Sequence, residues 1–192
     1  MSIENIISAL LGAAAGALIT YWFHLRSRNQ ERRQDFIKMA RNWNKSKEQE
    51  SLQEADLRKA NLQDINLGPK DESGQGANLS FANLQGANLQ NANLTKVNFF
   101  KANLKGINLS HANLFEANLT GAILSRAILL GADLSGAQLI DAQLIKANLK
   151  SANLHMANLF NANLKGAEVD DNQFSEAVTI DSATLPDGSK KK

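Results

Sequence analysis

The sequence predicts a mainly β solenoid, a chain wound into a polygonal coil, with helical segments ahead of it. Three observations carry this. First, from Ala77 to Val169 one five-residue unit is written nineteen times without a break: Ala, then usually Asn or Asp, then Leu, then two freer residues. The third position, here called i, falls at Leu79 and every fifth residue to Val169, and only Phe99 and Val169 are not Leu. Position i−2 is Ala except at Val97 and Ile107. Second, a period of five suits neither ordinary element. On an α-helix five residues advance about 500°, which smears the Leu positions around the circumference. In a straight strand an odd period sends successive Leu side chains to opposite faces. Third, positions i−2 and i are two apart. They point the same way in a short extended segment, so a turn in every unit aims each Ala and Leu pair at one axis.

On this reading small and large residues alternate inside, and positions i−1, i+1 and i+2 face water. Gly at i+2, in Gly86, Gly106, Gly121, Gly131, Gly136 and Gly166, suits a tight corner. Each unit buries its apolar side only against its neighbours, which is the logic of a repeat architecture. The unit Ala112-Asn113-Leu114-Phe115-Glu116 and its neighbours resemble the pentapeptide-repeat family. That resemblance implies a right-handed four-sided β-helix with four units per coil; with the amino-terminal segments, read from their own residues, the expected fold is mainly β, preceded by a transmembrane helix and a charged amphipathic helix. At about 4.8 Å per coil, nineteen units make a rod roughly 25 Å long.

The chain has 192 residues and no Cys, which excludes a disulfide framework and thiol chemistry. Its net charge of +2 is uneven. Residues 1–50 hold eight basic and five acidic groups, and 51–192 hold thirteen and fourteen.

From Ile3 to Leu25 the only formal charge is Glu4. As a helix this stretch is about 34 Å long, enough for a bilayer, with Tyr21 and Trp22 where an interfacial belt belongs. The competing reading, a cleaved signal peptide, needs a basic start that Met1 to Asn5 lacks. Residues 1–25 are therefore expected to be a single membrane span. Arg26, Arg28, Arg32 and Arg33 follow it and no Lys or Arg precedes it, which keeps the repeats on the cytoplasmic side. Ser8, Gly12, Gly16 and Thr20 recur every fourth residue, either as a stripe for helix–helix contact and self-association or as an accident of a Gly- and Ala-rich span.

Residues 26–50 carry eight basic and four acidic groups, with Phe36, Ile37, Met39, Ala40 and Trp43 at helical spacing. Two tasks fit this amphipathic helix: covering the open first coil, favoured for Trp43, and lying on anionic headgroups, favoured for the early arginines. First repeats occupy 51–67. The step from Leu67 to Leu79 is twelve residues, so 68–76 is expected to bulge as a loop, tolerated at a corner or carrying binding function. The β-helix then runs over 77–179. The last segment, 180–192, reads as a turn ending the coil at Leu185-Pro186-Asp187-Gly188, followed by a solvated basic tail.

With four units per coil, residues twenty apart stack. Lys105, Arg126, Lys146 and Lys165 then mark a basic stripe. Phe81, Phe100, Ile140 and Phe160 mark an apolar row beside it, of which Phe100, Ile140 and Phe160 share the i+1 column. A stacked apolar row next to cations reads as a docking surface, and aromatic stacking that merely stabilises the ladder is the alternative. Ile123 and Ile128 replace the usual Asn in consecutive units, either as a contact site or by drift.

Catalytic, metal-binding and cofactor-binding residues are expected to be none. His24, His111 and His155 are scattered, the acids are isolated, and no nucleophile or phosphate-loop motif is present. The expected function is a membrane-tethered, non-enzymatic scaffold that binds a protein partner. Some proteins of the family it resembles mimic duplex DNA and protect a type II topoisomerase, but residues 77–169 hold seven basic and four acidic groups, the wrong sign for a phosphate mimic. Anionic-lipid binding is the other alternative. No nucleic acid is expected, because four spaced cations come without an aromatic recognition motif.

Overall fold

The structure, a computed structural model, describes residues 28–43, 51–69, 74–171, 173–175, 177 and 179–191. The expected anchor, 1–25, and its stripe of Ser8, Gly12, Gly16 and Thr20 lie outside the described residues. Among the described residues no helix is long and apolar enough to cross a membrane. The chain divides into two units, Met1–Asp35 and Phe36–Lys192. The described part of the first, 28–35, is helical and almost wholly exposed.

The second unit is a four-sided coil. Parallel bridges join residues twenty apart throughout the run, as in Asn83↔Asn103, Asn88↔Asn108, Asn93↔Asn113 and Asn98↔Asn118. Twenty residues are four units, so four units make one turn.

A count of the five amides in one unit shows why the sequence repeats as it does. Asn103 N–H donates to Ala82 O of the preceding coil (2.9 Å), and Leu104 N–H donates to Ile123 O of the following one (2.9 Å). Lys105 N–H donates to the Oδ1 of Asn103 in its own unit (3.2 Å). Gly106 N–H reaches Ser125 O (3.0 Å), and Ala102 N–H closes the preceding corner on Phe99 O (2.9 Å). The i−1 side chain therefore satisfies the one amide that the ladder leaves over, as an Asx turn does. Where Ile123, Ile128, Gln138 and Gln143 stand, no such bond forms within the unit. The two glutamines instead donate to the Gly136 and Asp141 carbonyls and accept from Asn158 and Asn163 of the next coil.

Each corner is a β-turn whose second central residue is left-handed, the pattern of a type II turn. Every i+2 residue from Phe81 to Gly166 has φ between 52° and 69°, including Lys101, Glu116, Arg126 and Met156 as well as the six glycines. None is Val, Ile or Thr, for which a positive φ is most strained, although Thr95, Thr120, Ile140 and Ile145 occupy i+1. The sequence reading tied this corner to Gly, and the structure shows that the unit demands it everywhere.

Inside, the Ala and Leu positions are buried, and Phe99, the one Phe at a Leu position of the run, is fully buried among them. The coil begins earlier than the first Ala-Asp-Leu triplet, because Leu52 is fully buried and its N–H bonds Asn78 O.

The insertion changes the register. Asp56↔Asn83, Asn61↔Asn88 and Asn66↔Asn93 are twenty-seven apart, not twenty, so the first coil carries seven extra residues. They leave after Leu67 and return at Ala77, whose N–H bonds Leu67 O (2.7 Å). Gly76 is needed for close approach and not for a turn: a Cβ there would lie 2.6 Å from Thr95 O. Residues 70–73 of this loop lie outside the described residues.

The ends are covered differently. A helix, α1, spans 28–41. From Phe36 onward it lays Ile37, Ala40 and, just beyond its end, Trp43 into the core, with Phe36 and Met39 packed alongside. Trp43 Nε1–H donates to Gly68 O (3.2 Å) and Arg41 to Asn61 O (3.1 Å), which ties the cap to the open edge. At the other end the coil does not stop in a turn with a solvated tail. Thr179 and Thr184 bridge Asn158 and Asn163, twenty-one residues away, and continue the ladder on two sides. Lys190 then pairs antiparallel with Thr184, so the expected tail is the second arm of a hairpin. The reason is the open edge: Ser182 N–H finds Lys191 O and Lys191 N–H finds Ala183 O, groups that would otherwise face water alone. At the corner between Leu149 and Ala152, past which no bridge continues from Asn153 among the described residues, Gln173 Nε2 donates to Leu149 O (2.5 Å) and Ala152 O (2.8 Å).

Candidate docking surface

The four sides and four corners are chemically unequal. The middle of each side is a ladder of i−1 residues, half-buried or exposed, such as Asn78, Asn98 and Asn118, whose side-chain amides bond coil to coil (3.3 and 3.2 Å). The corners carry the i+1 and i+2 residues, and there the sequence varies.

The corner after Leu84, Leu104, Leu124, Leu144 and Leu164 holds all four expected cations. They form two adjoining columns and not one stripe. Lys105 and Lys165 stand in the i+1 column with Ser125 and Ile145 between them, and Arg126 and Lys146 follow each other in the i+2 column. All four are exposed, and among the described residues no ion pair involves them. The structure adds Arg58 and Lys59 to the same corner, stacked below Gln85 and Gly86. Residue counting at a spacing of twenty misses them because of the seven-residue insertion; counting units would have found them. Arg58 is held by Asp56 through two hydrogen bonds (2.8 and 2.7 Å), and this bonding and the carboxylate charge raise its pKa. Asp187 follows Gly166 in the corner, so the column ends on an acid.

The preceding corner carries the expected apolar residues. Phe100, Thr120, Ile140 and Phe160 stack in one column, and Thr120 interrupts the row. Phe81 is not in this column; it sits at i+2 and meets Phe100 edge-on at 5.5 Å, while Lys101 Nζ lies 5.1 Å from the Phe100 ring centre. The lower end of the row is therefore partly used in self-contact, and Phe160, 45% exposed, is its open upper end.

Between these corners lies one flat side, Asn83, Asn103, Ile123, Gln143 and Asn163, edged with apolar groups on one margin and cations on the other. Ile123 and Ile128 are 41% and 43% exposed and flank Arg126 on the same coil. The sequence reading overlooked the corner of Phe115, Glu116, His155 and Met156, where the small pair Ser135 and Gly136 leaves a groove of about 800 Å³. The outward columns on that side held the signal, as large residues on two coils separated by a small pair. Among the described residues no three His, Cys, Asp or Glu side chains are grouped to hold a metal.

A family model for pentapeptide repeats matches the chain in overlapping segments, 75–110, 92–131, 112–150 and 127–166, with eight copies of the repeat. The chain belongs to the pentapeptide-repeat family. It is similar to HetL, a pentapeptide repeat protein involved in heterocyst differentiation regulation from the cyanobacterium Nostoc sp. strain PCC 7120, at 34% identity over 72% of this chain and 65% of that one (TM-score 0.41). The match thus spans just under two thirds of HetL. It is also similar to Rfr23 from the cyanobacterium Cyanothece 51142, at 31% identity over 61% and 88% of the two chains (TM-score 0.46). A pentapeptide repeat protein from the Arabidopsis thaliana thylakoid lumen shares 30% identity over 56% and 79% (TM-score 0.44). No curated protein matches the chain.

Proposed function

We propose that this pentapeptide-repeat protein is a non-enzymatic interaction module, held at a membrane by residues 1–25 with its coil on the cytoplasmic side. Its partner is a protein whose contact surface is acidic on one margin and apolar on the other. The observation that carries this is the flat side between the Phe100, Ile140 and Phe160 column and the Lys105, Arg126, Lys146 and Lys165 corner. A packed solenoid offers a rigid surface that pays little ordering cost on binding, and complementary charge favours encounter. Exposed Ile123 supplies an apolar contact in the middle of that side, where the ladder would otherwise place Asn.

The test is crosslinking capture of the full chain in mild detergent, with variants. A partner through this side is lost on reversing Lys146 and Lys165 to Glu, lost on Phe160→Ser, released by salt, and kept on Lys150→Glu, which alters a different corner. Capture that is indifferent to the first two changes overturns the assignment. Fractionation of the full chain tests the anchor: extraction by high salt or alkali without detergent counts against it.

DNA mimicry is the weaker reading, because the corner that concentrates charge is cationic. Inhibition of a gyrase supercoiling reaction by the chain would reverse that judgement.

A further inference from the structure

The cationic corner contains a recess that the flat docking side does not use. Gly86 and Gly106 stack on consecutive coils at i+2, the one place in the nineteen-unit run where two corner glycines adjoin. Their left-handed φ (65° and 64°) does not require glycine, since Lys59 below them and Arg126 above them adopt the same conformation (53° and 59°). What the two glycines do is leave space: a Cβ on Gly106 would meet nothing within 4 Å, and one on Gly86 would meet only Lys59 Cγ, at 3.7 Å. The result is a recess of about 370 Å³ with the two glycines as its floor. Lys59, Lys105, Arg126 and Arg58 stand around it, and no carboxylate lines it. Asp56 compensates Arg58, which leaves Lys59, Lys105 and Arg126 as a net positive rim.

We propose that this recess binds a ligand bearing two closely spaced phosphoryl groups. A guanidinium offers a planar fork matched to phosphate oxygens, and two ammonium groups add point charges that turn to meet them. Three cations around one opening suit a multiply charged anion better than a single carboxylate. The volume holds about a dozen waters, more than one phosphate needs. The floor amides of Gly86 and Gly106 are committed to Lys105 O and Ser125 O, so side chains alone hold the anion. Binding is therefore moderate and salt-sensitive. The site shares Lys105 and Arg126 with the docking corner but needs no protein partner, so the two assignments fail separately.

The experiment is calorimetric titration of the full chain, in uncharged detergent, with inorganic pyrophosphate. Saturable binding is expected. Lys105→Gln and Arg126→Gln each weaken it about fivefold, the scale of one exposed charge contact. Gly106→Asp abolishes it, and Gly106→Asn weakens it by filling the recess. Both side chains are compatible with the corner, as Asn91 and Asp141 stand at the equivalent position. Lys150→Gln, on another corner, leaves binding unchanged. A second arm repeats the titration with phosphatidylcholine vesicles containing or lacking phosphatidic acid. Displacement of pyrophosphate by the acidic vesicles assigns the phosphoryl groups to a lipid surface, and its absence assigns them to a soluble ligand. No saturable binding to the wild-type chain, or equal binding to Gly106→Asp, overturns the proposal.

Discussion

The two ends of the coil solve one problem by different means. Any solenoid exposes, at its first and last turns, both an apolar cross-section and a row of ladder groups without neighbours. The amino end is closed mainly by side chains: Ile37, Ala40 and Trp43 lie over the first coil, and among the described residues Trp43 and Arg41 also bond its carbonyls. The carboxyl end is closed mainly by hydrogen bonds: two more ladder units, a hairpin, and Gln173 bonded to two carbonyls. A helix has already spent its backbone groups internally and can offer only side chains to an edge. A strand can extend the ladder but then presents a new edge, which the hairpin must fold back to cover. The amino cap should therefore be sensitive to lost volume and the carboxyl cap to lost donors.

The strongest way to break that contrast is Trp43→Ala. Removing a buried Trp costs about 3–5 kcal/mol, and chemical denaturation should show the first coil opening before the middle of the run. Equal exchange protection of Leu62 and Leu124 amides in the variant would show that the cap is dispensable. Next is Gln173→Leu, which keeps apolar bulk but leaves the Leu149 and Ala152 carbonyls without this donor. A loss of about 1–2 kcal/mol is expected, with faster amide exchange confined to the last coil. No change would mean that solvent replaces the side chain without penalty.

A smaller effect sharpens the comparison because it should be the same at both ends. Glu54 and Ser182 hold the left-handed corner position in the first and last coils (φ 58° each). Glycine removes the steric cost of that conformation while adding chain entropy in the unfolded state, for a net gain of about 0.5–1 kcal/mol. Thermal melts of Glu54→Gly and Ser182→Gly should rise together, and a fall in either would mean that its side chain makes a contact that matters more than the strain.

The smallest expected effect concerns Asp187 in the carboxyl hairpin. Its carboxylate accepts from the Ser189 hydroxyl (2.7 Å) and amide (2.8 Å), which lowers its pKa. A depressed folded-state pKa stabilises the hairpin above the ordinary Asp value of about 3.9, and that contribution is lost as pH falls through the folded value. Exchange of the Ser189 amide should accelerate, relative to its intrinsic rate, on acidification below that range, and Asp187→Asn should flatten the dependence. An unchanged profile in the variant would remove Asp187 from the account.

The fold was legible because one unit carries its whole specification. Ala and Leu two apart define the inside, and Asn supplies the acceptor for the amide that the ladder omits. The left-handed corner was legible only in part: Gly86 and its counterparts announced it, but the absence of Val, Ile and Thr from i+2 is the more general sign. The docking surface was legible as residue types and less so as positions. Lys105, Arg126, Lys146 and Lys165 do share a corner, yet Arg58 and Lys59 join them only once the insertion is folded away, and Phe81 proves to stand outside the Phe100 column.

The sequence by itself determined the inside of this protein, because a repeated unit meets only copies of itself and local spacing then decides what each residue faces. Tertiary structure alone decided the ends and the outside. Which residues close the first coil, whether the last ones pair, and which cations surround Gly86 and Gly106 all depend on contacts between segments of unlike sequence, where no repeat states the register in advance.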